Sequence, residues 1–168
     1  IYRLDRFGRG GHHRPFNDLG YAGVRIMEAH ENYIMQHNDI RVENGIAYGD
    51  VIEGVDFEYA KKLAAVNVIN LASLAWAPPS LEELSIGGVV EASVKFKWKK
   101  IDNPNISGYK IYWRDTTSPT WDYSRYVGDV SEATLEGIVI DNFFFGVSTV
   151  GKNGFESPVV FPNSVFRN

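Results

Sequence analysis

Two adjacent prolines, Pro78 and Pro79, divide the sequence into halves with different hydrophobic periods. Proline fixes φ and lacks a backbone N–H, so the pair ends any helix and stiffens a short extended linker. Before the pair the apolar residues follow a helical pattern, whereas after it they alternate with polar residues and are interrupted by turns. The sequence therefore predicts two domains, at residues 1–77 and 80–166.

The first domain ends in a long predicted helix at residues 56–76. Asp56 is a suitable N-cap, and Glu58 in the first turn is favoured by the helix dipole. Apolar side chains occur nearly all round the helix, so we expect it to be buried on more than one face. A short helix near 15–19 and a strand near 23–27 offer little cover for it. We therefore interpret this domain as an α/β remnant, the end of an α/β domain whose sheet lies mostly elsewhere.

The second half alternates between apolar and polar residues, with turn signals every ~8–12 residues, as an all-β sandwich does. Turns rich in Gly, Pro, Asn and Asp separate the apolar stretches. The predicted strands are 84–90, 92–99, 108–114, 121–127, 132–138, 142–150 and 158–162.

A set of aromatic, aliphatic and turn residues in this half has a recognisable spacing. These residues are Trp98, Tyr109, Tyr112, Leu135, Phe143, Phe145, Val147, Gly154, Glu156 and Ser157. Their order resembles the fibronectin type III domain, in which Trp98 would be the core tryptophan of the second strand. Phe143 stands where that family usually has a tyrosine, which implies that the packing is kept and the hydroxyl hydrogen bond is lost.

All the histidines lie in the first domain, so any metal or proton chemistry belongs there. They are His12, His13, His30 and His37. A Gly-rich loop delivers the tandem pair just before a helix start, with Pro15 at an early helical position. Such a loop exposes a histidine at the rim of a sheet, where α/β enzymes place their chemistry. A less favoured alternative is a metal site formed by His30 with Glu28 and Glu31. The chain has no cysteine, which excludes disulfides and thiolate ligands.

The run at residues 11–22 resembles the last metal-ligand motif of the co-catalytic dizinc exopeptidases, which include bacterial secreted leucyl aminopeptidases and glutamate carboxypeptidase. The matching positions are Gly11, His12, His13, Phe16, Gly20, Tyr21 and Ala22. The resemblance implies that His13 is a ligand to one of two zinc ions. His12 stands where the family usually has an aspartate, which implies a change in the hydrogen bonding of the loop. The candidates for the rim of the site are His12, Phe16, Tyr21 and His37.

The resemblance also implies that this chain is incomplete as an enzyme. The family's remaining zinc ligands and its glutamate general base precede the final histidine, so at most one partial zinc site is expected here. We therefore interpret the chain as a fragment of a bacterial aminopeptidase, secreted or periplasmic, that acts on peptides with two zinc ions. The fragment alone is expected to be inactive and to need a missing N-terminal catalytic segment. A homo-oligomer is a possible assembly.

Two other functions remain open for the sandwich. In one, the domain is a binding module that contacts a polymer, a surface or a partner protein through an exposed aromatic strip. The residues of that strip would be Trp113, Trp121, Tyr123 and Tyr126, for which ordinary core packing is the alternative. In the other, the sandwich only stabilises the enzyme or its dimer.

Charge and hydropathy argue against two further classes of partner. The net charge is −4 and is spread along the chain without a basic stripe, which is atypical of nucleic-acid binding. The most apolar run, at residues 63–76, is broken by Asn67 and Asn70 and is too short to span a membrane. The triplet Asn105-Ile106-Ser107 has the form of an N-glycosylation acceptor, but in a bacterial protein it would be accidental.

Overall fold

The computed structural model describes residues 10–21, 23–28 and 30–166. The chain separates into two compact units, Ile1–Ile69 and Asn70–Asn168. The domain limits expected from the sequence, 1–77 and 80–166, stay a prediction.

The first unit begins with a short helix, α1 (Arg14–Asp18), which confirms the helix predicted near residues 15–19. The strand predicted at 23–27 is wrong, because residues 23–28 are irregular and pair with no strand in the described part of the chain. A strand needs a hydrogen-bonded neighbour, and the alternating sequence alone does not supply one.

A two-stranded hairpin that the sequence analysis did not predict follows in the first unit. It consists of β1 (Arg41–Glu43) and β2 (Ile46–Tyr48), which pair antiparallel. Asn44 and Gly45 form the connecting turn with φ values of 52° and 78°. A two-residue turn with two positive φ angles matches the right-handed twist of the strands, and Asn-Gly is its preferred sequence.

The long helix α2 (Phe57–Trp76) confirms the predicted helix and its N-cap. The Asp56 carboxylate accepts the backbone N–H of Tyr59 at 2.9 Å, which satisfies one of the N–H groups left unpaired in the first turn. However, none of the 20 helical residues is buried. The expected burial on several faces is therefore wrong for this chain, and the expected α/β layering is not seen among the described residues. The described residues contain no helix long and apolar enough to cross a membrane.

The second unit is a β-sandwich of two mainly antiparallel sheets, in which the first six predicted strands are confirmed. Its strands are β3 (Leu84–Gly87), β4 (Ser93–Trp98), β5 (Ile106–Asp115), β6 (Tyr123–Gly128), β7 (Glu132–Glu136), β8 (Phe143–Gly151) and β9 (Ser164–Val165). One sheet has the order β7-β4-β3-β9 and the other has the order β6-β5-β8. Inward-facing residues of both sheets form one apolar core, as the alternating pattern requires.

The core contains an aromatic pair from the two sheets. Trp98 is 6% exposed and Tyr109 is fully buried, and their ring centroids lie 5.2 Å apart. The Tyr109 hydroxyl accepts the backbone N–H of Ile101 at 3.0 Å, so this buried polar group is satisfied. Phe143, at the position without the usual tyrosine hydroxyl, packs against the core.

The seventh predicted strand, at 158–162, is wrong as a continuous strand. In its place, Val160 forms an isolated bridge with Val147, and Glu156 forms one with Val150. Pro158 and Pro162 lack the N–H groups that a longer ladder would need.

The chain then joins the other sheet through β9, which runs parallel to β3. Asn163 N–H donates to the Leu84 carbonyl at 2.9 Å, and Phe166 N–H donates to the Ile86 carbonyl at 3.0 Å. The hydroxyls of Ser85 and Ser164 lie 2.7 Å apart. The first and last strands of the sandwich are therefore neighbours joined by backbone and side-chain hydrogen bonds.

Candidate functional site

His13 lies at the start of α1, where the Gly-rich loop turns into the helix. Its carbonyl accepts the backbone N–H groups of Phe16 and Asn17, each at 3.1 Å. The residue is half-buried, and the ring packs so close to Gly11 that a Cβ there would lie 3.1 Å from Nδ1. The helix start thus fixes the backbone of His13, and the missing side chain of Gly11 leaves room for its imidazole.

The irregular segment that follows α1 is held against this loop by two side chains. Arg25 donates from Nη1 to the Gly10 carbonyl at 3.1 Å. Asn17 donates from its amide to the Gly23 carbonyl at 3.3 Å. Because these bonds connect both sides of α1, the loop that carries His13 is positioned without the predicted strand.

The residues expected at the rim of the site occupy two places in the first unit. His12 precedes His13 and is exposed, whereas Phe16 and Tyr21 lie on and just after α1 and are 58% and 65% exposed. Tyr21 N–H donates to the Phe16 carbonyl at 3.0 Å, which brings these two residues together. His37 ends a separate turn with a φ of 56°. The role of these four residues at a rim stays a prediction.

The turn that carries His37 is fixed to the hairpin by close backbone packing. Gly49 N–H donates to the Ile34 carbonyl at 3.1 Å. Gly49 has a φ of 109°, and a Cβ at this position would lie only 2.8 Å from the Cα of Ile40. Only glycine fits such a close approach with this backbone conformation. The position of the His37 turn therefore depends on a glycine outside the histidine motif.

The described residues do not fit a complete zinc site. They contain no group of three or more His, Cys, Asp or Glu side chains that is able to hold a metal ion. Structural and catalytic zinc sites use three or four protein ligands. His13 therefore offers one donor, and the alternative set of His30, Glu28 and Glu31 is not assembled.

The sandwich carries a group of contacting side chains on the outer face of the β6-β5-β8 sheet, which we call the outer-face cluster. Its aromatic and cationic members are Tyr112, Arg114, Trp121, Phe144 and Phe161. The Trp121 ring lies 5.9 Å from Tyr112 and 5.4 Å from Phe161. The Arg114 guanidinium lies 4.8 Å from the Phe144 ring and 5.7 Å from Trp121, within the range of cation–π attraction.

Glu156 connects this cluster to a polar network. Its carboxylate accepts hydrogen bonds from Lys110 at 3.0 Å, from Ser148 at 3.0 Å and from the Tyr112 hydroxyl. Burial alone would raise the pKa of Glu156, but the bonds from Tyr112, Lys110 and Ser148 outweigh burial and lower the pKa below its ordinary value. The hydrogen bonds with Tyr112 and Glu156 raise the pKa of Lys110. Burial and the bond to Glu156 raise the pKa of Tyr112.

The four aromatics considered for a binding strip lie on two faces of the sheet. Trp113 packs against the core and stacks on Tyr123, its partner across the strands, at 5.5 Å. Trp121 belongs to the outer-face cluster. Tyr126 pairs with the outward-facing Lys110, and its hydroxyl donates to the Ser107 carbonyl at 2.7 Å. The four side chains therefore do not form one continuous surface, and their role in binding stays a prediction.

Sequence reasoning missed the Glu156 network. It identified Glu156 only as part of a closing turn. Lys110, Tyr112, Ser148 and Glu156 lie on three separate segments, and the register of β5 against β8 brings them together. The sequence signal for part of this network was the spacing of Lys110 and Tyr112, which are two residues apart on one strand and therefore lie on the same face.

No protein-family model matches this chain, but similar proteins cover nearly all of it. It is 41% identical over 163 residues to a probable zinc metalloprotease of Pyrenophora tritici-repentis, covering 96% of this chain and 34% of that protein. It is 43% identical over 163 residues to a probable zinc metalloprotease of Leptosphaeria maculans, covering 96% of this chain and 38% of that protein. The chain therefore spans about a third of the length of these relatives. They are fungal proteins, so the comparisons give no support to a bacterial source.

The solved structures that are similar to this chain include fibronectin type III domains. The fn3 domain of the human collagen alpha-1(XX) chain is 16% identical, with a TM-score of 0.43, covering 51% of this chain and 82% of that chain. Titin module A71 from human cardiac muscle is 21% identical, with a TM-score of 0.39, covering 49% of this chain and 84% of that chain.

Proposed function

We propose that this chain is part of a zinc metallopeptidase and supplies one zinc ligand, His13, to an active site that other segments of a longer protein complete. The observation that carries the proposal is the similarity of 96% of the chain to part of fungal proteins called probable zinc metalloproteases. The finer assignment, a co-catalytic dizinc aminopeptidase acting on peptides, is supported by the motif at residues 11–22. The imidazole of His13 is the kind of donor that zinc prefers.

This chain would contribute to such a site by holding the loop that carries His13 in place. The backbone bonds at the start of α1 fix the His13 backbone, and Gly11 leaves room for the His13 ring. The bond from Arg25 to the Gly10 carbonyl holds the loop from the other side. A ligand whose backbone is already ordered loses less conformational entropy when it binds a metal ion than one on an unordered segment. The described residues lack a complete ligand set, so a catalytic site on zinc would need ligands from other segments.

The test uses the 168-residue chain and a longer protein extended upstream. We expect only the longer protein to bind zinc stoichiometrically and to hydrolyse aminoacyl-anilides. In that protein, His13→Ala should lower activity by several orders of magnitude and remove bound zinc, because a zinc ion lacking one of its few ligands is held weakly. His30→Ala is the matched control and should leave both properties unchanged.

Two results would contradict this proposal. Tight zinc binding by the 168-residue chain would show that its own residues form the site. Full activity of the longer His13→Ala protein, with its circular dichroism unchanged, would remove His13 from the ligand set.

We also propose that the longer protein is exported and that this chain associates with a preceding catalytic segment, as the motif implies. A homo-oligomer is a further proposed assembly. Recovery of the longer protein from the culture medium of its source would support export, whereas its retention in the cytosol would contradict it. Sedimentation of the longer protein measures the oligomeric state directly.

The second candidate function is that of a binding module, and the outer-face cluster favours it. Phe161 and Phe144 are 51% and 44% exposed and flank the Arg114–Trp121 contact. Aromatic and arginine side chains are enriched at interfaces. We expect Phe161→Ala to weaken adsorption to an insoluble polysaccharide or a peptide column, with the exposed Val139→Ala as the control. Two results would contradict the binding function: Phe161→Ala adsorbs as well as the unaltered chain, or the unaltered chain does not adsorb. The sandwich would then serve to stabilise the enzyme or its dimer.

A further inference from the structure

The sequence contains a single Asn-x-Ser/Thr triplet in which x is not proline, Asn105-Ile106-Ser107. In a secreted eukaryotic protein such a triplet is an acceptor for an N-linked glycan and marks a surface loop. The triplet would be accidental if the protein came from a bacterium. The relatives of this chain are fungal, and fungi carry the glycosylation machinery in their secretory pathway, so that objection does not apply.

The structure places Asn105 in an ordered turn on the surface. Ile106 N–H donates to the Asn103 carbonyl at 3.1 Å, which closes the turn around Pro104. Asn105 N–H donates to the Asn103 side-chain oxygen at 2.9 Å, and the Asn105 carbonyl accepts the N–H of Lys152 at 2.8 Å. The backbone of Asn105 is thus held on both sides, while the residue itself is exposed.

We propose that Asn105 is an N-glycosylation site. The Asn105 Nδ2 atom forms a bond to C1 of an N-acetylglucosamine supplied by a lipid-linked oligosaccharide. The lipid diphosphate leaves with the bonding electron pair, and one amide proton passes to a base of the transferase. This proposal rests on the export proposed above.

The folded structure also defines when the transfer takes place. The Ser107 hydroxyl, which the transferase must recognise, donates to the carbonyls of Val150 and Gly151 at 3.1 and 3.3 Å. These acceptors lie on β8, so the hydroxyl becomes occupied once β5 and β8 have paired. The glycan is therefore added before the sandwich closes, and the folded chain is a poor acceptor.

The glycan would emerge beside the linker that precedes the sandwich. Asn105 lines a shallow cleft together with Trp76, Pro78, Pro79, Lys152 and Asn153. Within this unit the Asn153 amide donates to the Trp76 carbonyl at 3.0 Å, and the ring of Trp76 lies 5.3 Å from that of Phe155. An oligosaccharide at Asn105 would cover this exposed stretch and hinder proteases from reaching it.

The test is to express the 168-residue chain in yeast behind a heterologous secretion signal, so that its outcome does not depend on natural export or on zinc chemistry. We expect the secreted chain to shift in mass on treatment with peptide N-glycosidase F. Asn105→Gln and Ser107→Ala should lose the shift completely, whereas Ser107→Thr should keep it. Asn103→Gln, a change in the same turn, is the matched control and should also keep the shift.

A secreted, folded chain whose mass does not change on treatment would overturn the proposal, as would a shift that persists in Asn105→Gln. The timing is tested with a peptide N-glycosylation assay in microsomes. Folded chain added to microsomes opened with detergent should remain unmodified, whereas unfolded chain added to the same opened microsomes, and chain translated into intact ones, should be modified. Equal modification of the folded and the unfolded chain would overturn the order of events inferred from Ser107.

Discussion

At the scale of single residues, the Glu156 carboxylate joins three side chains of the sandwich into one network. Its two oxygens accept bonds from a lysine, a tyrosine and a serine on neighbouring strands. Breaking a hydrogen-bonded network around a charge costs more than breaking an isolated surface ion pair. This residue is therefore a suitable place to test whether the outer face contributes to stability.

We expect Glu156→Gln to lower the free energy of unfolding by roughly 1 kcal/mol near neutral pH. The pKa of Glu156 is lowered in the folded state, so its contribution is present above its ordinary pKa and is lost as pH falls through the lowered value. The pKa values of Lys110 and Tyr112 are raised, so their contributions are present below their ordinary values and are lost as pH rises through the raised ones. The difference in unfolding free energy between Glu156→Gln and the unaltered chain should therefore become smaller at both low and high pH.

The measurement is the urea midpoint, followed by tryptophan fluorescence, from about pH 3 to about pH 11, a range that spans the ordinary carboxyl and phenol pKa values. Glu132→Gln, an exposed carboxylate on β7, is the control and should show little difference at any pH. A constant difference between Glu156→Gln and the unaltered chain across this range would show that the effect is not electrostatic.

At the scale of elements, α2 has an apolar sequence that predicts burial, but its side chains are not buried. Its sequence is apolar nearly all round, yet Val68 and Leu71, on one face, are 64% and 69% exposed. An uncovered apolar helix is unfavourable in water, because its stability in proteins comes mainly from packing. We infer that another layer covers α2 in the longer protein.

This inference predicts an effect that depends on chain length. In the 168-residue chain, Val68→Lys and Leu71→Lys should leave the unfolding free energy almost unchanged and should reduce binding of an apolar dye. In the longer protein, the same changes should destabilise by more than about 2 kcal/mol, because a charge would be buried. Lys62→Gln is the control in both lengths. Equal effects in the two proteins would mean that nothing further covers this face.

The elements that the sequence predicted well are those with strong local signals. Asp56 marked the start of α2, and alternation with turn residues located β3–β8. The strand expected at 23–27 failed because pairing is a tertiary property. The β1–β2 hairpin was overlooked although Asn44-Gly45 is a strong turn signal, because each of its strands is only three residues long. The outward positions of Lys110 and Tyr112 were readable from the sequence, but their partners Ser148 and Glu156 were not, because they depend on the register between distant strands.

At the scale of the whole molecule, the two units differ in how much they bury. The elements α1 and β1 contain no buried residue, whereas β5 and β8 carry much of the core. Amide exchange is slow where core strands are packed and fast where few apolar contacts protect the backbone. The first unit should therefore open far more readily than the second.

We expect hydrogen exchange on the 168-residue chain to show slow amides in β5 and β8 and fast amides in α1 and the β1–β2 hairpin. Adding a separately produced upstream segment should slow amide exchange in the first unit only. At high protein concentration, two copies of the chain that exchange their first units would also show slower amide exchange there. Slow exchange throughout the first unit of a dilute monomer would contradict the expectation that this unit is incomplete.

The parallel pairing of β3 with β9 has a mechanical consequence. Because β3 and β9 run in the same direction, tension between the start of β3 and the end of β9 makes the two strands slide past each other. The bonds of Asn163 and Phe166 to β3 would then bear the load together and rupture in one event. A stretched single molecule should show one high-force step for the sandwich, and Asn163→Pro, which removes an N–H, should lower that force. The sandwich would thus act as a clamp that resists tension along the chain.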